Sequence, residues 1–405
     1  MERQEGWIWE RKGWPTVTYD AGRLLAPAGR ARRAQGLVTG AIAAIDVADR
    51  RRLLVDALTD EAIATSQIEG ENLDPASVRR SIARRLTLRP LGRYDPARRE
   101  GRATEGISAV TVDAVENAHK PLTASRLLRW HRMLAPTGLD ASEIGRFRTG
   151  PMQVVSGPMG RERVHFEAPP GDRVGSEVQR FLVWFSELSI GDWLITAALS
   201  HLVFVTIHPF ADGNGRISRA IAVLLLARDV PDDVPVSMTR QILAEKQQYY
   251  ATLERTQRGS LDVTEWIVWF LECYERAALH TLDVIAEVQR ANAVFTYAAK
   301  QGLNERQLLV LRMFLDRYDG RLNPAKYARM TDRSVDTAQR DLADLVAKGV
   351  LVRTGATSNV SYDLSPAIPV PARLSERPDT AVTSVEHDQT VRRTKRRLSR
   401  QKRVD

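Results

Sequence analysis

The stretch His208-Pro-Phe-Ala-Asp-Gly-Asn-Gly-Arg-Ile-Ser-Arg219 (HPFADGNGRISR) separates two apolar runs, residues 194–207 and 217–228. Both runs have helical periodicity, so the stretch reads as a tight loop between two buried helices. Gly213 and Gly215 let the backbone take positive φ and approach a ligand closely. A Gly-rich turn feeding a helix presents unpaired N–H groups and the positive end of the helix dipole, which together make an anion site. Arg216 and Arg219 are three residues apart and share a helix face, so a phosphate chain fits beside them. Asp212 would repel a phosphate directly. It makes sense as the ligand of a divalent cation lying between carboxylate and phosphates, an arrangement that suits Mg²⁺. His208 stands at the mouth of the same turn. With an ordinary pKa of about 6.5, it can accept a proton at neutral pH.

Working outward, helical periodicity dominates. Residues 50–69 place Leu54, Ala57, Leu58, Ala62 and Ile68 at near-helical spacing, and Gly70 falls where a C-terminal cap belongs. Residues 125–134, 181–188 and 265–284 continue the pattern, the last with Trp266, Trp269 and Phe270. Residues 151–170 (PMQVVSGPMGRERVHFEAPP) break it. Val154-Val155 and Val164-His165-Phe166 are short β-prone runs, and 156–160 suits the turn of a hairpin. From Glu305, helices at 306–315, 324–330 and 335–348 precede β-prone runs at 350–353 and 360–364, with a turn at 355–359. That order is a winged helix-turn-helix reading. The expected fold class is mainly α: a helical core with a short β-hairpin, plus a C-terminal winged helix-turn-helix domain.

Bulk composition narrows the function classes. The net charge of +9 is concentrated in residues 391–405 (VRRTKRRLSRQKRVD), which hold eight Lys/Arg and one Asp and leave only +2 for the rest. The segment from Pro366 is rich in Pro, Ser and charge and is expected to be a disordered basic tail. Cys273 is the single cysteine, which excludes an internal disulfide and a thiolate zinc cluster. Neither a signal peptide nor an apolar run long enough to span a bilayer is visible, so a cytoplasmic, membrane-free protein is expected.

Residues 208–219 match, without departure, the motif H-x-F-x-[D/E]-G-N-G-R-x-x-R of the Fic (filamentation induced by cAMP) family, and the chain resembles that family over most of residues 7–290. The resemblance implies a compact helical core and a protein adenylyltransferase that moves AMP from ATP to Ser, Thr or Tyr hydroxyls of target proteins and of itself. It implies His208 as general base, Phe210 as the inward anchor of the loop and Asp212 as the Mg²⁺ ligand. Gly213, Asn214 and Gly215 become the phosphate cradle, Arg216 a phosphate contact and Arg219 the partner of the γ-phosphate. Thr65-Ser-Gln-Ile-Glu69-Gly70 matches the family's inhibitory pattern [S/T]-x-x-x-E-[G/N]. Glu69 at a helix C-terminus would take Arg219 in a charge-assisted pair and leave ATP in an unproductive pose.

The hairpin, with Val164, His165 and Phe166, resembles the family's flap, which holds a target segment by strand pairing. Residues 248–253 resemble the segment near the adenine, where Tyr250 would stack on the purine or bond the phosphates. The expected organisation is a Trp-rich module at 1–45 (Trp7, Trp9, Trp14), an inhibitory helix at 46–75, a catalytic core at 76–290, the winged-helix domain at 291–365 and the tail at 366–405. A homo-oligomer (dimer) is expected. Arg333, Thr337, Gln339 and Arg340 suit DNA contacts, while Asp336, Asp341 and Asp344 on the same helix count against them, leaving protein contacts as the other use. Two other functional readings are a DNA-binding regulator with a nucleotide-sensing core, and an enzyme that removes AMP with Glu69 positioning water.

Overall fold

The structure is a computed structural model that describes residues 6–86, 100–136, 138–158, 161, 163–187, 192–230, 236–315, 322–355 and 360–368. The basic run at 391–405 lies outside the described residues, as do parts of the expected turns at 156–160 and 355–359. The chain divides into two compact units, Met1–Leu282 and Asp283–Asp405.

The first unit is built almost entirely of helices: α1 (Ala21–Ala43), α2 (Val47–Ile68), α3 (Pro75–Arg85), α4 (Arg102–Glu116) and α5 (Ala124–Leu134). A hairpin of β1 (Gln153–Ser156) and β2 (Arg163–Glu167) follows. Then come α6 (Val174–Glu187), α7 (Trp193–Ile207), α8 (Asn214–Arg228), α9 (Met238–Ala244), α10 (Lys246–Gln257) and α11 (Thr264–Ala299), the last of which contains the unit boundary. Local chemistry sets many of the starts. The side chains of Asp20, Asp46, Asp74, Thr123 and Asp192 accept N–H groups of the first turns of α1, α2, α3, α5 and α7. The centre is the pair α7 and α8. Leu202, Phe204, Ile207, Ile217, Leu224 and Leu225 are all buried there, and α2, α4, α5 and α6 pack around them.

The sequence reading assigned no helix to residues 21–43, because the buried stripe of α1 (Leu24, Ala31, Ala34, Val38, Ile42) is interrupted by Pro27 and set in an Arg-rich segment. The Trp-rich start belongs to the same compact unit as the core. Trp14 Nε1 donates to Glu177 Oε2 at 3.1 Å, Trp9 Nε1 donates to the Glu167 carbonyl at 2.7 Å, and the Trp7 ring meets Phe166 edge-on at 5.2 Å. Trp7 and Trp9 therefore hold the second strand of the hairpin, while Trp14 ties the start of the chain to Glu177 of the following helix. Gly106, in the middle of α4, allows the close approach of α5: a Cβ there would lie 2.0 Å from the Met133 carbonyl oxygen. Gly106→Ala is expected to destabilise the protein by about 1–3 kcal/mol through overpacking, read as a lower urea midpoint at unchanged slope.

In the second unit, α12 (Glu305–Leu315), α13 (Pro324–Thr331) and α14 (Val335–Ala347) precede an antiparallel hairpin of β3 (Leu351–Thr354) and β4 (Ser361–Leu364). Leu322 bridges to Tyr362. Val310, Leu311, Tyr327, Leu342, Leu345 and Val350 form its core. Gly349 takes φ 68° after α14, and Val350 N–H returns to the Leu345 carbonyl, which closes the helix as its sequence suggested.

Candidate active site

The loop between α7 and α8 has little freedom. His208 ends α7 in the left-handed region (φ 50°), an uncommon conformation for a residue with a Cβ, and Gly213 precedes α8 at φ 84°. Phe210 is fully buried, stacked on the His131 ring at 4.2 Å. The Asn214 side chain braces the loop: Oδ1 accepts the Phe210 N–H at 2.9 Å, and Nδ2 donates to the Phe210 carbonyl at 2.8 Å. Asn214 thus has both side-chain groups committed to the backbone, and only its main chain is left for the cradle role expected of it. Asn214→Ala would strand two buried backbone groups. It is expected to cost about 2–4 kcal/mol, measured by urea unfolding.

The His208 Nδ1–H donates to the Val205 carbonyl at 3.0 Å, which fixes the neutral tautomer and leaves Nε2 with a free lone pair. Burial pushes its pKa below the ordinary value. The Val205 carbonyl opposes that shift, Arg148 adds to it, and the Glu69 and Asp212 carboxylates oppose it. The imidazole is therefore neutral at pH 7, the state a general base requires.

Arg219 is almost completely buried. Its Nε donates to Thr65 Oγ1 at 2.7 Å, and Nη2 donates to Glu69 Oε1 at 2.6 Å and to the Thr65 carbonyl at 3.3 Å. Burial opposes the charge of Arg219, yet Glu69 more than compensates and holds the pKa above its ordinary value. Burial likewise pushes Glu69 up, while the charge of Arg219 and its hydrogen bond bring the net shift below the usual carboxylate range. The pair thus persists until pH falls through that lowered pKa, below any physiological value. Glu69 is the C-cap of α2, and Gly70 follows it at φ 84°. A Cβ on Gly215 would lie 2.3 Å from Glu69 Oε1, so this glycine lets the carboxylate lie against the first turn of α8. No side chain caps that turn at Gly213 among the described residues. A carboxylate therefore rests where an anion is expected.

Arg216 is held by carboxylates. It is buried, with Nη1 on Glu71 Oε1 at 2.9 Å and Nη2 on Asp212 Oδ2 at 3.1 Å, and it does not itself line the cleft. Asp212 itself is about half exposed and lines the cleft. As a single carboxylate beside an anion site, it fits Mg²⁺ shared with phosphate oxygens.

A cleft of about 560 Å³ gathers Glu69, His208, Asp212, Asn214, Gly215, Arg219, Tyr249 and Tyr250 on one side, with 152–156, His165 and Phe166 from the hairpin opposite. This size suits a nucleotide-sized ligand. Val164 does not line the cleft; its carbonyl accepts Arg258 Nη2 at 2.7 Å. Tyr249 is buried against His201 Nε2 at 3.1 Å, whereas Tyr250 is 41% exposed and presents its ring to the cleft. Two structural residues brace the loop: Arg148, which falls in the 146–148 stretch that resembles the surroundings of the family's flap, and His131, which the sequence reading missed. Arg148 ties the loop to both feet of the hairpin, donating to the carbonyls of His208, Gly150 and Pro169 at 2.7 Å each. His131 accepts the Gly145 N–H on Nδ1 at 2.7 Å and donates from Nε2 to the Asp212 carbonyl at 3.1 Å. No local motif marks His131. Glu71 was missed too, although it stands two residues beyond Glu69.

The family model described as Fic/DOC family matches residues 121–226, and a second, described as a domain of unknown function (DUF4172), matches residues 7–88. The loop thus lies inside the stretch that is similar to the Fic/DOC family. It is 28% identical over 221 residues to a protein adenylyltransferase Fic of Drosophila erecta, covering 54% of this chain and 39% of that one. It is 29% identical over 238 residues to that of Drosophila ananassae, covering 58% and 43%. The chain thus spans about two fifths of the length of these curated relatives. A Fic family protein from Desulfovibrio desulfuricans G20, whose structure is solved, shares the fold with a TM-score of 0.52 at 20% identity, over 87% of this chain and 99% of that one. No helix among the described residues is long and apolar enough to cross a membrane.

Proposed function

We propose that this chain is a protein adenylyltransferase held in a resting state by its own Glu69. The observation that carries this reading is the Glu69 carboxylate seated on Arg219 against the first turn of α8, in the cleft that also holds His208 Nε2. The acceptor is a protein hydroxyl presented along the exposed β1 edge of the hairpin, and the donor is ATP. His208 Nε2 takes the hydroxyl proton. Arg219, once free of Glu69, holds the γ-phosphate, and the N–H groups opening α8 receive the inner phosphates. Tyr250 lies against the base. Asp212 would hold Mg²⁺, which neutralises charge on the phosphates when bound. The reading requires that label pass to protein from ATP marked at the α-phosphate and not from ATP marked at the γ-phosphate; the reverse pattern would replace it with a kinase.

One observation supports a second activity in the same cleft. Glu69 lines it beside His208, where a carboxylate can orient water toward an AMP-modified hydroxyl. Removal of AMP would then be lost, not gained, in Glu69→Gly. For the second unit we propose the winged-helix reading with DNA contact by α14. Asp341 turns inward to Arg306 and Tyr327, and Asp344 pairs with Lys348. Arg333, Gln339 and Arg340 are exposed. Two of the three acidic side chains that argued against DNA are thereby occupied.

A further inference from the structure

The hairpin carries a second constellation in the cleft, separate from the motif loop. Ser156 Oγ lies 2.6 Å from His165 Nε2, and His165 Nδ1 lies 2.9 Å from Glu254 Oε2 on α10. All three residues line the same cleft as His208. A carboxylate accepts only a proton, so Nδ1 carries the hydrogen and Nε2 is left to accept the Ser156 O–H. This is a nucleophile hydroxyl on a base that a third group orients.

The backbone is shaped for it. Val154 pairs with Phe166 and Val155 with Val164, which leaves His165 as the extra residue of a β-bulge. Bulges re-aim a side chain, and this one turns His165 toward Ser156 and Glu254. Glu254 is fixed in turn by Arg163 at 2.9 Å and Arg258 at 3.5 Å. Ser156 is exposed and follows the two exposed valines of β1.

We propose that Ser156 is an internal acceptor: a serine activated by His165 and Glu254 that takes the nucleotidyl group from a nucleoside triphosphate in the same cleft. This rests on the adenylyltransferase reading. Ser156 Oγ forms a bond to the α-phosphorus as the bond to the β-phosphate oxygen breaks. Pyrophosphate leaves with the electron pair, and the Oγ proton passes to His165 Nε2. The Glu254 carboxylate then faces the imidazolium through Nδ1–H.

Two arms test it on the full chain. A fluorophosphonate, an electrophilic phosphorus probe that needs no nucleotide, is expected to label Ser156 by peptide mass spectrometry. The adduct should be absent in Ser156→Ala, and about a hundredfold slower in His165→Gln and slowed in Glu254→Gln. No adduct on Ser156, or His165→Gln reacting as fast as wild type, overturns the proposal. In the second arm, Glu69→Gly protein with Mg-ATP is expected to carry AMP on Ser156. AMP on other residues with none on Ser156 overturns this proposal alone. AMP on no residue of the protein or of a lysate overturns the adenylyltransferase reading, and this proposal with it.

Discussion

His208→Ala, made in the Glu69→Gly background so that a rate can be read, is expected to lower AMP transfer by about 10²–10⁴-fold while ATP affinity stays within about twofold. The loss falls on the chemical step, because Nε2 is the free ring atom: Nδ1 is spent on the Val205 carbonyl. The same environment sets the pH profile. Burial lowers the His208 pKa, so the base is neutral across pH 7 and the rate is flat there. It falls only as pH drops through the lowered value, below the ordinary histidine pKa of about 6.5. The sign for stability agrees. A histidine with a depressed folded pKa stabilises the fold above its unfolded pKa, and that contribution declines as pH falls below it. Single-turnover rates from pH 5 to 8 check both limbs, and a profile rising steeply between pH 7 and 8 would remove His208 from the role.

Glu69→Gly is expected to raise transfer by about ten- to a hundredfold, the equivalent of about 1.5–3 kcal/mol for a charge-assisted hydrogen bond that ATP no longer has to displace. The substitution leaves Arg219 buried with Thr65 as its remaining partner, so the free protein is expected to melt at a lower temperature than wild type. Mg-ATP, binding only the folded state, should restore more of that loss in the variant than it adds to wild type. Glu69→Gln keeps the shape and an acceptor while removing the charge, and its rate should fall between the two. Wild-type protein gaining as much from Mg-ATP as the variant would show that Glu69 and the nucleotide do not compete.

Much of this was legible in the sequence where local chemistry dictates structure. The helices around the core, the hairpin strands and the capping glycines Gly70 and Gly349 follow from periodicity and from φ requirements. The contact of Glu69 with Arg219 was expected from the resemblance of residues 65–70 to the family's inhibitory pattern, with Glu69 at the C-terminus of α2. What escaped reading depends on distant pairs. The His131 brace is separated by eighty-one residues from the Asp212 carbonyl it holds. The pairing of Arg216 depends on Glu71, two residues past the cap of α2 and distant in sequence, as well as on Asp212. The stripe of α1 mixes two alanines with Leu24, Val38 and Ile42 in an Arg-rich segment with Pro27 inside it, which signals a buried helical face weakly. The bulge at His165 leaves no trace in composition, since a one-residue offset between strands is decided by pairing.

The most direct test is to measure AMP transfer from Mg-ATP side by side in wild type, Glu69→Gly and Glu69→Gly/Arg219→Ala. Withholding of Arg219 by Glu69 requires low, high and low rates in that order. Equal rates in wild type and Glu69→Gly, or a double variant as fast as Glu69→Gly, would contradict it.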